Sequence, residues 1–124
     1  MKIAIIIVRI LMGLMFLMAS VVYFFDLVEV PEMQGDVKTF NEGLAVAVYM
    51  MPLIKGIEFL CALAFLSGRF VALAAVVIFP IVINILLFHA FLTPDLTIAI
   101  PLFLGNVFLL YACRYKYAPM FESK

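Results

Sequence analysis

Residues 70–92 read FVALAAVVIFPIVINILLFHAFL, without one Asp, Glu, Lys or Arg. A helix of about 20 predominantly apolar residues matches the hydrocarbon thickness of a bilayer. In lipid the backbone must satisfy its own hydrogen bonds, which a helix does within the segment. The pattern recurs along the chain. Residues 3–25 form a first apolar run, and a second begins near Leu44 and stops at the SGR triplet of residues 67–69. The run at 70–92 is closed by TPD at 93–95, and a fourth follows at about 96–115. The chain is 69% hydrophobic and 13% charged, against about 45–50% and about 25% in ordinary soluble domains. A soluble fold of 124 residues has too little interior to hide that surface. The expected architecture is all-α: a transmembrane four-helix bundle in a single domain, residues 1–124, with helices at about 3–25, 44 or 52 to 67, 70–92 and 96–115.

Two arrangements fit the segment before the second crossing. Residues 26–36 (DLVEVPEMQGD) read as irregular, and VKTFNEGLAVAVYMM then leads to Pro52. Proline suits the first turn of a helix and disturbs its interior. Either one helix is kinked at Pro52, or a short extra helix at about 37–49 lies on the outer surface and the spanning helix starts afresh. The second arrangement is the expectation. Pro80 and Pro101 should kink or begin the later helices in the same way.

Lysine and arginine in short loops set orientation. If the four crossings hold, Lys2, Arg9, Arg69, Arg114, Lys116 and Lys124 share one side. Lys38 stands on the other with Asp26, Glu29, Glu32, Asp36 and Glu42. Both termini should therefore face the cytoplasm, with the acidic loop outside. Arg9 interrupts what would be the apolar core of a signal peptide, so an uncleaved first helix is expected. Formal net charge is zero, from eight basic and eight acidic residues, which argues against a nucleic-acid partner. Cys61 and Cys113 lie in apolar segments without a CxxC and read as small packing residues. No GxGxxG, P-loop, HExxH or GxSxG pattern is present, and no metal-ligand cluster. Hydrolytic and nucleotide-dependent chemistry are poor candidates.

The candidate site residues are the polar ones inside the spans: Arg9, Lys55, Glu58, Asn84, His89 and Asn106. A charge in the hydrocarbon costs at least ~2.5 kcal/mol and usually faces the bundle interior with a partner. Arg9 and Glu58 stand at matching depths, so an Arg9–Glu58 pair is expected. Lys55, one turn from Glu58 on the same face, would complete a triad. Asn106 falls near the level of Glu58, Asn84 near that of Lys55, and His89 closer to the outer interface. Each has a plainer reading. The charges can lock helices together, and the asparagines can bond between helices for about 0.6 kcal/mol apiece. A lone histidine is a poor basis for a bis-histidine haem site and reads first as an interfacial hydrogen-bonding group.

Several stretches together resemble the DoxX family of small four-helix membrane proteins. They are RILMGLMFL in the first helix, FNEGLAVAVYMMPLIKGIEFLCALAFL after the acidic loop, GRFVALA leading into INILLFHAFLTP, and the YACRYKYAP tail. By motif, the family's first-helix arginine is Arg9, its second-helix glutamate Glu58, and the asparagine and histidine of its NILLFH stretch Asn84 and His89. Lys55 matches the KxxE form of some members. Many relatives follow the glutamate with glycines, where this chain has Cys61 and Ala62, and members bearing a CxxC differ again. The resemblance implies a bacterial inner-membrane location. It also implies roles ranging from small subunit of a thiosulfate:quinone oxidoreductase to assembly or cargo protein. Three functions stay open at this point. One is a redox-associated membrane subunit holding a quinone or small sulfur oxyanion, with chemistry supplied by a partner redox protein. The others are a small transporter or lipid-binding protein, which as a transporter would need to form a homo-oligomer, and a scaffold whose charged cluster is only structural.

Overall fold

The computed structural model describes residues 2–26, 34–92 and 96–122. The expected acidic positions Glu29 and Glu32, the TPD triplet and Lys124 lie outside them. The described chain is helical throughout: α1 (Lys2–Phe25), α2 (Gly35–Val46), α3 (Met50–Ser67), α4 (Val71–Phe91), α5 (Ala99–Ala112) and the single turn α6 (Arg114–Tyr117), followed by a 3-10 turn at Ala118–Phe121. Among the described residues there is no strand.

Three helices, α1, α3 and α4, are long and apolar enough to cross a membrane. Their 24, 18 and 21 residues correspond to roughly 36, 27 and 32 Å at 1.5 Å per residue, against about 30 Å of hydrocarbon. The fourth apolar helix, α5, has 14 residues and is short for a full crossing. This is the helix set of an integral membrane protein.

The breaks have local causes. Residues 47–49 separate α2 from α3, so the segment before Pro52 is a helix of its own, beginning and ending slightly before the expected 37–49. Pro52 then falls in the first turn of α3, where its missing N–H leaves nothing unbonded. Pro101 occupies the same place in α5. Pro80 instead sits inside α4, where it removes the N–H that would bond the Val76 carbonyl. Gly68 ends α3 in the left-handed region at φ 77°, its N–H bonded to the Ala64 carbonyl at 3.0 Å. A residue without a β-carbon takes that conformation at no steric cost.

The principal contacts run from α1 to α3, from α3 to α4, from α4 to α5 and back to α1, while α2 packs on α3. Small residues let these helices approach closely. A β-carbon on Gly13 would stand 2.8 Å from Leu66 Cγ, and one on Gly105 would stand 3.3 Å from Met12 Sδ. Ala62, Ala74 and Ala75 are buried around Phe16, Phe65, Ile78 and Leu109. Large side chains point the other way, with Leu60, Leu73 and Phe91 all exposed. Only 22% of each spanning window is buried within the protein, so the solvent for the remainder is lipid. That is the packing of membrane helices, where close backbone approach rather than hydrophobic exclusion holds neighbours together.

Candidate functional site

A cavity of about 560 Å³ lies between α2, α3 and α4. Lys55 and Glu58 come from α3. Asn84 and His89 come from α4, and Phe40 and Asn41 from α2. Met50, Met51, Ile54, Ile81, Ile85 and Phe88 supply most of the remaining wall. Four of the six polar residues singled out in the sequence thus share one space. Arg9 and Asn106 lie elsewhere.

Lys55 Nζ stands 3.1 Å from Glu58 Oε2, with the lysine side chain 19% and the glutamate 3% exposed. The two are three residues apart on one helix, so the pair forms without ordering a second element. The contact is a close ion pair. Removing the partner of a buried charge is costly, whereas the pair as a whole is close to neutral in energy.

The expected Arg9–Glu58 pair and the triad built on it do not form. Arg9 lies with its guanidinium against the turn at Gly68, where a β-carbon would overlap Nη1. Two physical facts redirect it. Lys55 reaches Glu58 from the same helix, and a long arginine stem carries its charge towards the end of a span rather than across it. Matching backbone depth therefore did not place the charged heads together.

Asn106 is fully buried, and its Nδ2 donates to the Ala75 carbonyl of α4 at 3.1 Å. Its Oδ1 is buried without a partner. This amide joins α5 to α4. Ser20 is also fully buried and turns its hydroxyl back on its own helix, donating to the Phe16 carbonyl at 2.9 Å. Cys61 is buried with Sγ 3.7 Å from the Ala74 carbonyl. Both cysteines are free thiols.

Asn84, by contrast, is exposed and makes no hydrogen bond with any described residue. His89 is half-buried at the α2 end of the cavity. Its Nδ1 donates to the Ile85 carbonyl at 2.8 Å, and its ring meets Phe88 edge-on at 5.3 Å. Donation from Nδ1 fixes the ring's orientation.

The contribution of α2 was not read from the sequence. Phe40 packs on Phe88 with ring centroids 5.1 Å apart, closing one side of the space. Asn41 stands beside it, donating to the Val37 carbonyl at 2.8 Å. The available signal was the i, i+4 spacing of Phe40 and Leu44, which gives a short polar helix one apolar edge.

Chemically the cavity joins an ion pair without net charge, two amides and an imidazole to aromatic and aliphatic walls. Its volume is within the range of small-molecule sites, and its few polar groups sit in a mostly apolar lining as in such sites. Comparison of the chain with protein-family models, with curated proteins and with solved structures gives no match.

Proposed function

We propose that this chain is a four-helix transmembrane protein of DoxX type that holds a quinone headgroup between α2, α3 and α4 and serves a redox partner as a membrane subunit. With four crossings, the distribution of Lys and Arg supports termini on the cytoplasmic side, and the family resemblance supports a bacterial inner membrane. One observation carries the reading. The Lys55–Glu58 pair lies within a single helix and faces a cavity, so it fastens no two helices together. A scaffold needs no such pair, because an intrahelical ion pair in lipid adds cost without adding a helix–helix contact.

The separation of Arg9 from Lys55 selects the ligand class. Two cations at one point would favour a sulfur oxyanion. One cation neutralised by Glu58 suits an uncharged molecule that carries hydrogen-bond acceptors. A quinone has two carbonyl oxygens on a flat apolar ring and reaches the cavity through the lipid. The Lys55 ammonium and the Asn84 amide are donors for those oxygens, and Phe40 and Phe88 offer ring faces. Reduction of a quinone to the quinol takes two electrons and two protons, and Glu58 can relay the protons one at a time. The electrons come from the partner.

The test is mass spectrometry of an organic extract from protein purified in mild detergent, beside Asn84→Leu. Asn84 bonds no described residue, so its replacement leaves folding intact. A quinone retained by the parent and lost from Asn84→Leu is the expected result. Bulk lipid alone in both extracts refutes the reading and returns the choice to transport or scaffolding.

A further inference from the structure

We infer that Arg9 and Arg69 form a binding site for the phosphate of an anionic phospholipid at the turn between α3 and α4. A guanidinium inside a spanning helix normally finds a partner in the protein. Arg9 has none. The ion pairs among the described residues are Lys38–Glu42 and Lys55–Glu58, and Arg9 Nε is buried without a hydrogen-bond partner. Glu58, the acid at its own depth, is taken by Lys55.

What the protein provides instead is a place for the charge. The guanidinium lies over Gly68, and any side chain there would displace it. Gly68 marks the end of a membrane-length helix, the level at which lipid headgroups stand. Arg69 follows directly, its side chain exposed and its backbone N–H held by Ser67 Oγ at 3.3 Å. One arginine packed over Gly68 and another on the next residue, its side chain exposed, put two cations at one turn, and arginine is the best-shaped cation for phosphate oxygens. The same arrangement explains why a costly charge is kept on α1: its counter-ion belongs to the bilayer.

Purified protein in detergent doped with phosphatidylglycerol or with phosphatidylcholine is examined by native mass spectrometry. The parent should retain phosphatidylglycerol in preference. Arg9→Gln and Arg69→Gln should each lower that retention about fivefold, the loss expected for one basic residue at an anionic surface. Arg9→Lys keeps a cation that reaches the same boundary, so it covers the case in which Arg9→Gln does not fold. Losing the rigid fork, it should retain about half as much lipid. Arg114→Gln is the control, since that guanidinium is already held by the Tyr111 carbonyl and the Tyr115 hydroxyl, and it should behave as the parent. Equal retention of the two lipids by the parent, or unchanged retention in Arg9→Lys and Arg69→Gln, overturns the site. Displacement of the lipid by inorganic phosphate assigns the arginines to a free anion and overturns it as well.

Discussion

Asn106 and Asn84 are the same residue on neighbouring helices, and the molecule uses them in opposite ways. Asn106 lies where α5 meets α4, fully buried and bonded to the Ala75 carbonyl. Asn84 faces the cavity, exposed and bonded to nothing described. The contrast extends to their surroundings. Around the first, glycines and alanines bring helices together and polar groups close on backbone carbonyls. Around the second, the side chains are large, the other polar ones bond within their own helices, and a separate short helix completes the wall. Polar groups in a membrane protein cost free energy in either place. In the seam the return is helix association. In the cavity no other helix gains, which is the ground for the proposed ligand.

The sharpest way to break that comparison is at Lys55. Lys55→Met leaves Glu58 buried without its counter-charge and should destabilise the protein by about 3 kcal/mol or more. Adding Glu58→Leu should restore most of the loss, because removing both partners of a buried pair is close to neutral. Thermal unfolding in detergent reads both steps. If the double variant is as unstable as the single one, the pair has a structural role that its intrahelical geometry does not reveal, and the cavity is no different from the seam.

The seam is tested at Gly13. Gly13→Val places carbon against Leu66 and Phe65 and should cost about 1–3 kcal/mol by overpacking. It should leave the cavity's ligand content per folded molecule unchanged. Tyr117 tests the seam's edge, where its hydroxyl donates to the Ala72 carbonyl of α4 at 2.6 Å. Burial, and after it the neighbouring Cys113, pushes this hydroxyl up to about 12. Below about pH 10, the usual tyrosine value, folded and unfolded states both hold the proton. Above it the unfolded chain releases the proton and the folded one keeps it, so stability falls as pH rises towards the folded value. Tyr117→Phe should lose about 1 kcal/mol at neutral pH. The parent's advantage over it should shrink through the alkaline range, measured as the difference between the two unfolding curves.

Much of this was legible in the chain and some was not, for reasons that particular residues show. Runs of apolar residues and the SGR turn give the helices, because lipid leaves the backbone few alternatives. Pro52 marks the start of α3 because a proline fits a first turn. Arg9 was misplaced because counting turns locates a backbone, whereas the charge sits at the end of a flexible stem. Asn84 and Asn106 could not be told apart because α4 and α5 are apolar nearly all round. Without a polar face the sequence does not say how a helix is rotated. Phe40 and Asn41 went unread as site residues because the apolar edge of α2 is narrow and none of its residues is fully buried.

The smallest effect decides the matter most directly. Asn106→Leu removes an interhelical hydrogen bond and should cost about 0.6 kcal/mol, the usual size of such bonds between membrane helices. The cost stays small because the substitution also removes an Oδ1 that is buried without a partner. Asn84→Leu removes no bond with a described residue and should change stability by no more than about 0.5 kcal/mol. The two variants differ little in chemistry and have the same change in side-chain polarity. If Asn106→Leu unfolds at a lower temperature and Asn84→Leu does not, Asn84 is a polar group whose presence folding does not require. Equal losses would mean that Asn84 has a helix-joining bond in the membrane, and the cavity would then be an extension of the seam. The experiment needs no ligand, so it separates the two regions even where the bound molecule has been lost in purification.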